Sequence, residues 1–541
     1  MKKKIENLLF VCIIIGMVLI CLSVAGAADR PLRISTGWPA FIDPAVGLDA
    51  TACKLLPNIY DTLIFLDRDT GLPVPFIAKS WDVADDGKIW TFHLGEGVKF
   101  HDGTELTAED VKFSMDRLLT VGEGFAFLFL NRVVSTEVVD RYTVAFNLEK
   151  PFGAFLAMTG RFYILNKDLV LKNIIKPGQY GDMGDYGKQW LNTHDAGSGP
   201  YIVKKYLPGE STTLVVNPNY WQPIDPLAPD EATFYNITEN VAVQSMLMNR
   251  EIDIGFHNHS KEAILAMDKI EGVDIKRFPQ NGQMYFMVNN RKPPTDDVHF
   301  RKAMAYGIDY NTIIEKIWIG VTPARGPVPK GCPGYDPTVM EYSFDLDKAK
   351  EELEKSKYYN ELDKYPVTVA WLDRITDQEK IVLLFMSDMA KLGVKVISVK
   401  TPWSKIVDDA SKLETSPNIV MVSTNGNYLE AGSILDVRYK SEGAATYRQN
   451  EWLLDPELDK RIDAAHEPVD QEERFARYSE ITHYVHDDLC AAISLFDYAY
   501  SVPYQSAYID WFSGESVRLL GAEYYLPDIK VYSEKRLNLL K

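Results

Sequence analysis

Apolar and polar positions along the chain change period repeatedly. The run Leu32 to Thr36 predicts a short strand, Asp43-Pro44 opens a turn, and a helix is expected over about 48–56. From Ser80 the pattern is that of hairpins. Trp81 and Val83, then Ile89, Thr91, Phe92 and Leu94, then Val98 and Phe100 are separated by Asp86-Gly87, Gly95 to Gly97 and Asp102-Gly103. Each Asp-Gly pair marks a tight turn, because glycine accepts the positive φ such turns require. Thr107 to Asp110 has the form of a capping box, the threonine oxygen serving an orphan amide and the carboxylate reaching back. Val111, Met115, Leu118 and Leu119 follow at helical spacing, which predicts a packed helix.

Residues 178–187, rich in Gly and Tyr, show no periodicity and read as a surface loop. Tyr201 to Tyr206 and Thr212 to Val216 predict another hairpin, and Met284 to Val288 is apolar and extended. Asp296 and Asp297 stand where a helix N-terminus favours anions, ahead of an apolar stripe of Phe300, Ala303, Met304, Gly307 and Ile308. From Val367 onward, expected strands at 367–372, 394–399 and 419–422 alternate with helices at 379–391 and 403–413, an α/β pattern. Helices at about 457–466 and 472–488 precede a final apolar stretch, 491–496.

The length, 541 residues, with 46% hydrophobic and 25% charged positions, fits a globular chain of about three to four domains or one large multi-lobed body. The formal net charge of -18 repels polyanions, so nucleic acid is excluded as a partner. The N-terminus has the build of an export signal: Lys2 to Lys4, an apolar run from Leu8, and a small-residue cleavage site at Ala25-Gly26-Ala27. Removing 1–27 leaves a net charge of -20 and a protein placed in the periplasm or at the outer face of the cytoplasmic membrane. The stretch from Leu8 to Ala25 sits at the lower edge of spanning length, so retention as an anchor stays open. Lipid attachment at Cys21 is disfavoured by Ile20 before it. Cys53, Cys332 and Cys490 match no metal or redox spacing and read as buried thiols, with at most one disulfide among them.

Three blocks carry a resemblance. They are PFIAKSWDVADDGKIWTFHLGEGVKFHDGTELTAEDVKFSMDRL from Pro75, GSGPYIVKKYLPGESTTLVVNPNYW from Gly197, and NNRKPPTDDVHFRKAMAYGID from Asn289. Together they resemble the large substrate-binding proteins of ABC importers, the peptide- and nickel-binding family, with Gly95 standing where an Arg is usual. The resemblance implies a two-lobed α/β fold of the class II periplasmic-binding-protein type, with two crossing strands and an extra subdomain on the first lobe. The expected division is 28–68, 190–285 and 500–541 for the first lobe, 69–189 for the subdomain and 286–499 for the second lobe. The implied function is non-enzymatic: a monomer captures a small hydrophilic ligand by hinge closure and delivers it to a membrane permease. No cofactor, metal or catalytic residue is implied.

Peptide is the leading ligand class, with a metal chelate or an oligosaccharide as alternatives. Peptide-binding relatives hold the α-ammonium on an Asp after the strand matching 419–422. Here the run is Ser423-Thr424-Asn425-Gly426-Asn427-Tyr428, with Asn427 at that position, and a slip of three would place Glu430 there. Arg161 falls near an Arg that grips carboxylates in nickel-chelate relatives, its other reading being a surface or inter-lobe salt bridge. Trp38, Phe41, Tyr60, Tyr285, Met287 and Trp403, with Asn425 and Tyr428, complete the expected ligand-facing set. The paired histidines 257/259 and 483/486 lack a clear third ligand, and no phosphate-binding loop or nucleophile elbow occurs. A secreted hydrolase is the lower alternative; it would need two carboxylates facing each other across a cleft, a geometry that sequence leaves open.

Overall fold

The computed structural model describes residues 30–38, 41–512 and 521–540. The expected signal, with Cys12 and Cys21, lies outside the described residues.

Burial on both faces dictates the second-lobe sheet. In the strand Asp274–Val288, Met284, Phe286 and Val288 enter one core while Tyr285 and Met287 enter another. Ile419–Asn425 splits the same way, Ile419 and Met421 against Val420 and Val422. Such strands read as continuous apolar runs because no face meets water. Helices Val298–Tyr306 and Thr376–Lys391 cover one face through Phe300, Met304, Ile381 and Phe385. Trp403–Ala410 covers the other through Ile406. The sheet order is Thr322–Pro323, Ala492–Tyr504, Asp274–Val288, Ile419–Asn425, Val367–Leu372, Val396–Thr401.

The first-lobe sheet has the order Pro31–Thr36, Glu231–Asn236, Ser211–Val216, Tyr201–Leu207, with only the first pair parallel. A separate antiparallel sheet, Ala78–Val83, Ile89–Leu94, Thr143–Leu148 and Val133–Asp140, shares one continuous core with it. Trp90, Phe92, Phe146 and Phe155 belong to the same apolar cluster as Leu32, Ile34 and Tyr201, so this subdomain is welded to the first lobe.

Two strands connect the lobes. Asp274–Val288 and Ala492–Tyr504 pair antiparallel from Asp274 and Tyr504 to Met287 and Ala492, with a register break between Pro279 and Gln283. Below the break Phe278, Tyr500 and Val502 pack in the first-lobe core; above it Met284, Phe286 and Phe496 pack in the second. Asn281, Gly282 and Asn425 meet at this crossing. A Cβ on Gly282 would lie 2.4 Å from the Thr424 carbonyl oxygen, a backbone atom, and 2.0 Å from Asn425 Oδ1, so only glycine permits the approach.

The expected capping box is present, the Thr107 side chain and amide both served by Asp110 at the start of helix Ala108–Val121. Helix 48–56 begins later, at Ala52–Ile59, because Asp49 Oδ1 accepts from the amides of Thr51 and Ala52 and makes the preceding residues a cap. The expected strand at 98–100 is a single bridge, Lys99 to Glu105, since Phe100 N donates to Thr104 O at 2.8 Å and closes a small loop. Cys53, Cys332 and Cys490 are buried free thiols whose burial raises their pKa values and keeps them unreactive.

Candidate inter-lobe binding site

Contacts that cross between the lobes gather around the loop after strand Ile419–Asn425. Asn427 N donates to Ser433 Oγ at 2.7 Å, and Asn427 O accepts from Arg161 Nε at 3.3 Å. Tyr428 O accepts from Asn281 Nδ2 at 3.1 Å, while its ring, 2% exposed, joins the core of the first lobe. Arg161 is buried on the other wall, with its guanidinium carbon 4.7 Å from the Phe125 ring centre and against the Cys53 thiol and Tyr163 hydroxyl. A cation stacked on a ring and bonded to a carbonyl across the gap is a link between lobes as well as a charge beside the gap.

A second link lies further along. Arg132 Nη2 meets Asp436 Oδ2 at 3.3 Å, and Asp436 Oδ1 meets His466 Nε2 at 3.0 Å. Burial works against the Asp436 carboxylate, but His466, Arg132 and Lys440 together hold its pKa below the ordinary value. Gly153 N donates to His466 O at 2.7 Å beside the Phe152 ring.

Two cavities lie here, one across the junction and one within the first-lobe side beside Arg161. The larger, about 510 Å³, has Phe127, Leu128 and Arg132 on the subdomain side and Asn427, Asp436, Glu442, Thr446, Tyr447 and Arg448 on the other. Its walls carry charges of both signs. The smaller, about 90 Å³, lies among aromatic rings with Arg161 as its charged group.

The family model for bacterial extracellular solute-binding proteins, family 5, matches residues 73–446. This chain belongs to that family. The "Probable D,D-dipeptide-binding periplasmic protein DdpA" of Escherichia coli is 29% identical over 472 residues, 86% of this chain and 87% of that protein. Heme-binding protein A of Haemophilus influenzae is 28% identical over 425 residues, 72% of each chain. The structure of the ABC transporter-associated periplasmic binding protein DppA from Helicobacter pylori, in complex with peptide STSA, superposes with a TM-score of 0.73 at 22% identity. It covers 93% of this chain and 98% of that one.

Measured against its expected ligand-facing set, this family 5 protein brings Tyr60, Arg161, Asn427 and Tyr428 to the two cavities. Trp403, 38% exposed, packs its ring 5.4 Å from Tyr447 at the larger cavity. Trp38 is half-buried against Tyr206 at 5.0 Å, Phe41 is exposed, and Asn425 is exposed at the end of its strand. Tyr285 and Met287 are corrections: at 0% and 4% exposure they face the sheet core, and Arg438 sits 3.6 Å over the Tyr285 ring. They alternate with Met284 and Phe286, and a strand covered on both faces leaves neither set for a ligand. Glu430 is held by Arg474 at 2.7 and 3.0 Å and by Tyr478 at 2.9 Å, a structural ion pair.

Arg132, Asp436, Tyr447 and Arg448 were not singled out by sequence. Arg132 and Asp436 stand 304 positions apart, and no local pattern joins them. His483 bonds Asp487 at 2.5 Å and Asp336 at 3.2 Å; among the described residues no His/Cys/Asp/Glu cluster is arranged to hold a metal.

Proposed function

We propose that this protein captures a short peptide between its lobes outside the cytoplasm and passes it to an ABC permease, without catalysing a reaction. The observation that carries the peptide reading is the larger cavity. Arg448 and Glu442, beside the Arg132–Asp436 pair, give one chamber partners for both ends of a zwitterion, alongside amide and hydroxyl groups for its backbone. Two of the similar proteins support this reading, dipeptide-binding by name in one and a bound peptide in another, while a third is named for heme.

Closure is the working motion in this reading. In this reading the lobes divide near the break in the long strands, within 279–283 and opposite 497–499, and the proposed division is a first lobe of 28–68, 190–285 and 500–541, a subdomain of 69–189 and a second lobe of 286–499. The protein works as a monomer exported by residues 1–27, and no described helix is long and apolar enough to cross a membrane. Trp38, Phe41, Tyr60, Arg161, Trp403, Asn425, Asn427 and Tyr428 form the ligand-facing set.

Native mass spectrometry of protein purified without refolding identifies a retained ligand. The same ligand is expected to shrink the radius of gyration in solution scattering and to raise the melting temperature. A saturating, thermally stabilising ligand that leaves the scattering curve unchanged refutes closure.

A further inference from the structure

Two consecutive residues take opposite sides of the junction. The Tyr428 ring is buried in the first-lobe core, whereas Leu429 belongs to the second-lobe cluster of Leu435 and Tyr478. The backbone around them is held by the second lobe and the hinge. Ser433 Oγ accepts from Asn427 N at 2.7 Å and from Tyr428 N at 3.2 Å, and Ala431 N donates to Pro333 O at 2.8 Å. Asn281, inside the register break of the crossing strand, donates from Nδ2 to Tyr428 O at 3.1 Å, and its carbonyl accepts from Gly426 N at 2.7 Å. When the lobes part, this backbone stays with the second lobe and the hinge, so the Tyr428 ring has to leave the first lobe.

The hydroxyl on that ring is buried and has no hydrogen-bond partner among the described residues. The carboxylates whose fields reach it are already engaged, Glu430 with Arg474 and Tyr478, and Asp436 with Arg132 and His466.

We infer that Tyr428 is a positioning residue for closure: its ring favours joined lobes, its hydroxyl opposes them, and the near-balance leaves the ligand to decide. The inference rests on the closure reading proposed above. Burying a side chain of this size favours the joined arrangement by roughly 10- to 150-fold. Leaving a buried hydroxyl unpaired opposes it by roughly 5- to 150-fold. The two effects have the same size and opposite sign, so a ligand that binds the joined form better has only a small bias to overcome.

The experiment compares the full exported protein with Tyr428→Phe and Tyr428→Ala by solution scattering, melting temperature and calorimetry with Gly-Leu. Tyr428→Phe keeps the ring and removes the opposing hydroxyl. It is expected to bind Gly-Leu about fivefold or more tighter, with an unliganded radius of gyration below that of wild type. Tyr428→Ala loses the ring, and is expected to bind about tenfold or more weaker with a larger unliganded radius. A merely structural tyrosine would lower the melting temperature in both variants and leave radius and affinity unchanged, which overturns the inference. Weaker binding by Tyr428→Phe also overturns it, because the hydroxyl would then be bonding the ligand. Should Tyr428→Ala fold poorly, the isosteric Tyr428→Phe carries the test alone. Failure of Gly-Leu to bind any of the three counts against the peptide reading, and the unliganded radii still decide the role of Tyr428, equal values overturning it.

Discussion

Gly153→Ala tests whether the contact between subdomain and second lobe governs closure. A Cβ at Gly153 would lie 1.8 Å from the Pro468 carbonyl oxygen, 2.6 Å from its carbon and 2.8 Å from Arg474 Nη1, where ordinary contact begins at 3.4 Å. The second-lobe side cannot yield locally. Arg474 Nη1 donates to Pro468 O at 2.9 Å and Val469 O at 3.0 Å while the same guanidinium grips Glu430, which fixes the 468–470 turn. The subdomain must therefore back away by roughly 1.6 Å, losing the Gly153 N to His466 O bond of 2.7 Å. That bond contributes about 0.5–1.5 kcal/mol, and the Phe152 contact on His466 loosens with it. A closed state disfavoured by about 1–2 kcal/mol weakens the apparent affinity roughly 5- to 30-fold. Solution scattering should give a larger radius of gyration for the unliganded variant, and calorimetry with a dipeptide the weaker binding. A variant with wild-type radius and affinity but a lower melting temperature would refute the argument, because the contact would then belong to a rigid unit.

Other expectations follow from buried charges and from the loop. Arg117 and Asp43 are each 0% exposed and joined at 2.7 and 2.6 Å, so Arg117→Met strands a buried carboxylate and should cost about 3–5 kcal/mol in urea unfolding. Burial pushes the Glu451 carboxyl from 4.5 up to about 8, so the fold holds a proton the unfolded chain releases. Stability is then fully present below pH 4.5 and falls by about 1.4 kcal/mol per pH unit as pH rises toward 8. Glu451→Gln should flatten that decline and melt higher than wild type at pH 8, and equal declines in both would show the carboxyl does not titrate there. Asn427→Asp should improve affinity for peptides with free N-termini relative to N-acetylated ones, by calorimetry; an equal response would place the loop away from the ammonium.

The sequence made local features legible and left remote ones hidden, for a physical reason. A capping box or an Asp-Gly turn is a bargain between residues three or four apart, so Thr107 with Asp110 declares itself in the chain order. The crossing strand does not. Only Met284 to Val288 reads as extended, because Asp274 to Gly282 mixes charged and polar residues, yet Asp274–Val288 is one strand held by its ladder to Ala492–Tyr504. The ligand-facing set divides the same way. Arg161 and Asn427 were found by position in a family pattern, whereas Arg132 and Asp436 meet only through the tertiary arrangement of the two lobes. Tyr285 and Met287 misled because an apolar strand beside a cleft and an apolar strand inside a sheet have the same composition.

The linkage at Arg161 joins selection to closure. Its Nε donates to the Asn427 carbonyl at 3.3 Å, an inter-lobe bond that a ligand held between the lobes would reinforce or replace. Either way the side chain reports occupancy to both walls: it stacks on Phe125 of the subdomain and bonds a loop of the second lobe. A ligand shifts the lobes only by as much as it binds the closed form better than the open one. Groups that touch one wall alone give affinity without closure, while a group shared by both walls gives the difference. On the proposed function, a side chain such as Arg161, which touches both walls, is expected to couple ligand binding to closure, whereas Tyr60 and Trp403 would act on affinity alone.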